Sequence, residues 1–175
     1  MQLARARSLF FLTFIACTLI LGAAIYLQHA YGLEPCVLCH AQRGAIIGCG
    51  LVCLAATLHS PGPRGWSRYG LALLTIAGIG AATAGWHVWL QTASIDQQAQ
   101  VTGWYQNSTG SLWLSAPHAG LENKFVFCAE INWSLFGISL PEWSLLAFVA
   151  LMLLACHPLA SGLAHRLKAE GRTGD

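Results

Sequence analysis

The sequence predicts an all-α membrane protein: a four-transmembrane-helix bundle with a short first and a long second loop on one side of the membrane. Three observations predict it. Charged residues are only 9% of the 175, against about 25% in soluble domains. Hydrophobic residues are 55% and mean hydropathy is +0.55, which leaves too little polar surface for a water-soluble fold of this size. The apolar residues also gather into four runs of about the length a bilayer requires. We read residues 1–175 as one integral membrane domain, with helices at about 9–29, 37–58, 69–90 and 141–163 and outer loops at about 30–36 and 91–140.

The first run, Leu9 to Leu27, follows Arg5 and Arg7 and contains Gly22-Ala23-Ala24, so it has the outline of a secretory signal. Its length argues for a span, since a signal core runs about 7–15 residues and a span needs about 20. The second run ends at Leu58 and is joined to the third by His59-Ser-Pro-Gly-Pro-Arg-Gly65, a tight turn with no residue suited to chemistry. The third, Tyr69 to Leu90, carries Gly78/Ala82, Gly80/Ala84 and Ala81/Gly85 at four-residue spacing, a pattern that lets helices approach closely within one bundle. Trp86 and Trp89 mark its outer end as an aromatic belt. Residues 91–140 are far more than two neighbouring helices need, and they are rich in Trp, Phe and Leu, so the second half of this loop is expected along the membrane surface. The fourth helix opens with Ser139 and Glu142 as a capping box and Pro141 in its first turn.

Basic residues set the orientation. Seven of the nine (Arg5, Arg7, Arg64, Arg68, Arg166, Lys168 and Arg172) fall on one side and only Arg43 and Lys124 on the other. Both termini are therefore expected in the cytoplasm, and Cys36, Cys39 and Cys128 outside. In a bacterial inner membrane that outside is the periplasm, where disulfides persist.

Cys36-Val37-Leu38-Cys39 lies at the mouth of the second helix, four residues before Arg43. At i, i+3 and i+7 the three side chains share a helix face, with the guanidinium about one turn, ~5 Å, below the sulfurs. A cation and a helix N-terminus both favour the thiolate, the form that attacks disulfides and donates electrons. A static disulfide or a snorkelling arginine is the plainer reading, but an intramembrane charge beside a CxxC pair points to redox chemistry. From its position alone, His87 reads as a belt histidine at the end of the third helix. Cys17, Cys49, Cys53 and Cys156 lie in the spans and read as small packing residues. Cys49/Cys53 lack a nearby His or acid, and no metal site is expected.

Gln28-His29, Glu34-Pro-Cys-Val-Leu-Cys39 with Arg43, His87-Val-Trp-Leu-Gln91, Cys128-Ala-Glu, Trp133, Gly137 and Pro141-Glu-Trp143 together resemble, in order and spacing, the disulfide bond formation protein B (DsbB) family. The resemblance implies a quinone-linked thiol oxidoreductase that reoxidises a periplasmic thioredoxin-fold protein, DsbA, and passes electrons to ubiquinone or menaquinone. By position Cys39 would be the thiolate beside the quinone and Cys36 the sulfur that exchanges outward. Arg43 would bind a quinone oxygen with help from His87, and Cys128 matches the last family cysteine. A monomer is expected, with no nucleic-acid partner.

The sequence departs from the family in one respect. The family has two cysteines in the long outer loop, and residues 96–127 contain none. Three readings stay open: the CxxC pair acts directly on the partner, Cys128 exchanges alone with both, or the chain is an impaired relative. From another class, Cys36-Val-Leu-Cys39-His40 also satisfies the c-type haem signature C-x-x-C-H, which would make the protein a membrane cytochrome. A non-catalytic scaffold is the third class.

Overall fold

A computed structural model describes residues 2–32, 36–94, 96–97, 100 and 134–170, with side chains described except at 2–5, 63–64 and 161–170. Four long helices follow one another: α1 (Gln2–Tyr31), α2 (Val37–His59), α3 (Pro63–Thr92) and α4 (Leu140–Glu170). Each is long and apolar enough to cross a membrane. Helices suit that role because every backbone polar group is satisfied within the segment, where lipid offers no partner. Buried hydroxyls obey the same rule: Thr13 Oγ1 donates to Leu9 O and Thr57 Oγ1 to Cys53 O, both at 2.8 Å.

The α2–α3 turn is shorter than the Pro/Gly stretch suggests. Ser60 takes a left-handed conformation (φ 45°) and returns its N–H to Ala56 O, closing α2. Gly62 then caps α3, and Pro63 fills the first helical position, where a missing N–H costs nothing. At the far end of α1, Gly32 has φ 62°, a conformation that strains any residue with a Cβ.

Packing is extensive between α3 and α4, α1 and α2, and α2 and α3, but not between α1 and α4. The core between them is built around Phe10, Leu73, Phe148 and Leu151, with Cys17, Cys49 and Cys53 buried among them. Cys156 is exposed, so it is not a packing residue; it sits on the outer side of α4. Between α1 and the first turn of α3, the Phe10 ring stacks on Trp66 with centroids 5.2 Å apart.

Of the three small-residue pairs on α3, only Gly80/Ala84 lies in the buried stripe. A Cβ at Gly80 would overlap the Phe148 ring of α4, whereas Gly78 and Gly85 have nothing within 4 Å. Among these three pairs the close approach is thus set by where Phe148 lands; one end of α3 also nears α4 at Gly70, where a Cβ would lie 3.0 Å from Pro158 and 3.3 Å from Ala155 O.

Before α4, residues 134–139 form a hairpin, β1 (Ser134–Leu135) against β2 (Ile138–Ser139), antiparallel. Its two turn residues, Phe136 (φ 56°) and Gly137 (φ 78°), both have positive φ, as tight hairpin turns require. The capping box is half realised. Glu142 Oε2 accepts from Ser139 N at 2.6 Å, while Ser139 Oγ donates instead to Gln91 Oε1 at 3.0 Å, tying the start of α4 to the end of α3.

Candidate functional site

Cys36 is the N-cap of α2 rather than a member of its first turn. Its backbone is extended (φ −74°, ψ 172°) and its sulfur accepts from Cys39 N at 3.4 Å. Capping draws the sulfur over the helix mouth, where amide N–H groups and the helix dipole favour negative charge. The Cys39 sulfur, one turn on, lies 3.3 Å from it. The pair is the dithiol form, close enough for a disulfide to form with little movement of the chain.

The two sulfurs have different surroundings. Cys36 is buried, packed with Leu90 of α3, and its Sγ is 3.8 Å from His87 Nε2. The Gln42 amide nitrogen lies 3.2 Å from the other imidazole nitrogen, Nδ1. Cys39 instead faces a partly open cavity of about 460 Å³ lined by α1, α2, α4 and the hairpin. Its walls are almost entirely apolar, from Ile20, Ala23 and Leu27 on α1 to Trp143 and Ala147 on α4, with Leu135 of the hairpin. Polar groups come chiefly from α2: Cys39, Gln42 and Arg43 line it together.

Arg43 is held in that wall by α1. Its Nη1 donates to Gln28 Oε1 at 2.6 Å and its Nη2 to Ala24 O at 3.4 Å. A guanidinium has five donors, so two bonds leave others for a ligand in the cavity. The cavity lies where α1 and α4 are not extensively packed together. An apolar chamber with a few convergent polar groups is the usual form of a small-molecule site.

The structure thus brings together four of the five residues singled out from the sequence, in two subsites. Cys39 and Arg43 share the cavity; Cys36 and His87 meet behind it. His87 is not in the cavity wall, and its neighbour is a sulfur. Cys128 lies outside the described residues, as do Lys124, Glu34 and Trp133. Sequence reasoning passed over Gln28 and Gln42 as site residues. Their signal was an amide side chain inside a membrane helix, which is costly without a partner. His40, the remaining element of the haem signature, is exposed on α2 and does not line the cavity.

A family model described as disulfide bond formation protein DsbB matches residues 6–157. Among curated relatives, disulfide bond formation protein B 2 of Pseudomonas syringae pv. syringae is 52% identical over 174 residues, 99% of each chain. Disulfide bond formation protein B 2 of Pseudomonas savastanoi pv. phaseolicola is 51% identical over 98% of each. Disulfide bond formation protein B 1 of Pseudomonas aeruginosa is 43% identical over 150 residues, 86% of this chain and 92% of its own.

Proposed function

Since the chain belongs to the disulfide bond formation protein B (DsbB) family of membrane oxidoreductases, we propose that it oxidises the dithiol of a DsbA-like thioredoxin-fold protein and delivers the electrons to membrane quinone. The observation that carries this reading is that Cys39 and Arg43 line one apolar cavity. The cavity fits a quinone headgroup: its walls are apolar and its polar end holds a cation and a thiol. Arg43 and Cys39 would hold the group, with Gln42 beside them. A bound quinone supplies an acceptor for the two electrons and two protons released when a dithiol becomes a disulfide.

The remaining steps belong to the chain's own residues. Arg43, positioned by Gln28, favours negative charge at Cys39 and at a ligand oxygen alike. Cys36 exchanges with the incoming thiol, and His87 takes or returns its proton across the 3.8 Å gap. The gap between α1 and α4 gives a lipid-soluble ligand lateral access, so it need not cross water. The outer compartment is the periplasm, with both termini cytoplasmic; thiol labelling of a Lys168→Cys variant from outside intact cells would contradict this.

Thiol oxidation by the purified protein, with and without added ubiquinone or menaquinone, tests the function. Quinone-dependent oxidation of a thioredoxin-fold dithiol protein is expected. Oxidation that ignores quinone, or a Soret absorption band from covalent haem, would overturn it.

A further inference from the structure

The redox reading uses Cys36, Cys39 and His87 for electrons and protons, but their geometry has a second use. Cys36 Sγ, Cys39 Sγ and a His87 ring nitrogen all lie within 4.8 Å of one another, with both Cys36 and His87 buried. A tetrahedral zinc site with Zn–S of about 2.3 Å and Zn–N of about 2.0 Å needs S···S near 3.8 Å and S···N near 3.5 Å. The observed separations are 3.3 Å between the sulfurs and 3.8 Å from Cys36 Sγ to His87 Nε2. The third pair, Cys39 Sγ and the His87 ring nitrogen, lies within 4.8 Å and must close to about 3.5 Å, a change on the scale of side-chain rotation.

The imidazole is also supported as metal-binding histidines are. Such a histidine fixes its tautomer by donating its other ring N–H to an acceptor. Gln42 stands 3.2 Å from Nδ1, and an amide can present either end. With its oxygen turned to Nδ1–H, Nε2 carries a lone pair aimed at the sulfurs. With its nitrogen there, Nε2 carries the proton and donates to Cys36. Gln42 can therefore serve both the metal-bound and the redox state. Two thiolates would also neutralise a divalent cation, leaving no net charge in the apolar surround.

The geometry points to a three-ligand site for a thiophilic d¹⁰ cation, Zn²⁺ in particular, formed by Cys36, Cys39 and His87 in the reduced protein only. Binding releases two thiol protons to solvent and transfers no electrons. It holds the pair as thiolates bound to metal, so that neither sulfur can attack a disulfide or give electrons to quinone, and the protein is inhibited while reduced. The site goes beyond the redox reading, although it is built from the same dithiol and imidazole.

The test uses full-length protein in detergent, quinone-depleted and anaerobic, with Zn²⁺ in competition against a chromophoric chelator. Reduced protein should take up one Zn²⁺, and protein oxidised at Cys36/Cys39 should not. His87→Ala should weaken uptake about tenfold or more, and Gln42→Leu by about 10–100-fold, as loss of a supporting hydrogen bond does elsewhere. X-ray absorption of the zinc-loaded wild type should give two sulfurs and one imidazole nitrogen, which needs no variant to fold. Equal uptake by the oxidised form, affinity unmoved by His87→Ala, or a sulfur count other than two would overturn the site. Because uptake is read without quinone or partner, failure of the redox reading leaves this result standing, and the reverse holds too.

Discussion

Arg43 on α2 donates to Gln28 Oε1 on α1 at 2.6 Å, and this bond fixes the one charged side chain that the described residues place in the wall of the cavity. An unheld arginine side chain would have many rotamers and a strong preference to reach for water. Gln28 removes that freedom before a ligand arrives.

Gln28→Ala should therefore raise the apparent KM for quinone by about 2–10-fold, the worth of one hydrogen bond. Thiol–disulfide exchange by the Cys36/Cys39 pair should change less than quinone use, because Gln28 touches neither sulfur and acts on Cys39 only through Arg43. Steady-state kinetics with a water-soluble quinone, beside exchange with a small dithiol, separates the two. An equal fall in both would assign Gln28 a role in folding instead.

Cys39→Ser should abolish quinone reduction, since Cys39 is the sulfur facing the cavity. Arg43→Ala should cut kcat/KM for quinone about 10–100-fold, the range for a charged hydrogen bond. Arg43→Lys should recover only part of it, because an ammonium cannot both keep the Gln28 and Ala24 bonds and direct two more. Wild-type quinone use in Arg43→Ala would remove its assigned role.

A stability test isolates the α3–α4 contact from the site. Gly80→Ala pushes a methyl into the Phe148 ring and should cost about 1–3 kcal/mol, as overpacking does. Gly78→Ala, with open space around it, should be neutral or slightly stabilising, since alanine is the better helix former. Thermal unfolding in detergent compares them, and equal effects at both positions would contradict the packing described.

Much of this was legible in the sequence for a physical reason. Spans announce themselves by length and polarity, and Cys39 and Arg43 are four residues apart on one helix, so their shared face follows from helix geometry alone. What lies between helices did not. Gly78/Ala82 and Gly80/Ala84 are the same pattern on α3, and only the seating of Phe148 selects the second. His87 was expected near the quinone, yet the register of α3 against α2 sets it 3.8 Å from Cys36. Gln28 and Gln42 became site residues only once partners on other helices were in place. Cys36 proved to be a cap, a role that depends on backbone angles just before α2.

The final prediction concerns Cys128, whose loop lacks the second cysteine of the family pattern. On the proposed topology its internal partners are Cys36 and Cys39. Cys36 is the one expected to exchange outward, and a Cys36–Cys128 disulfide would leave Cys39 as a thiol in the cavity beside Arg43. Such a link requires the Cys36 sulfur, 5% exposed and packed with Leu90, to turn out from its place beside His87. Leu90→Ala should ease that turn and speed exchange, whereas Cys128→Ser should slow oxidation of the protein partner but spare quinone reduction driven by a small dithiol. Non-reducing peptide mapping should find some Cys36–Cys128 linkage in the wild type. Full-rate partner oxidation by Cys128→Ser, with no such linkage, would show that the Cys36/Cys39 disulfide meets the partner directly.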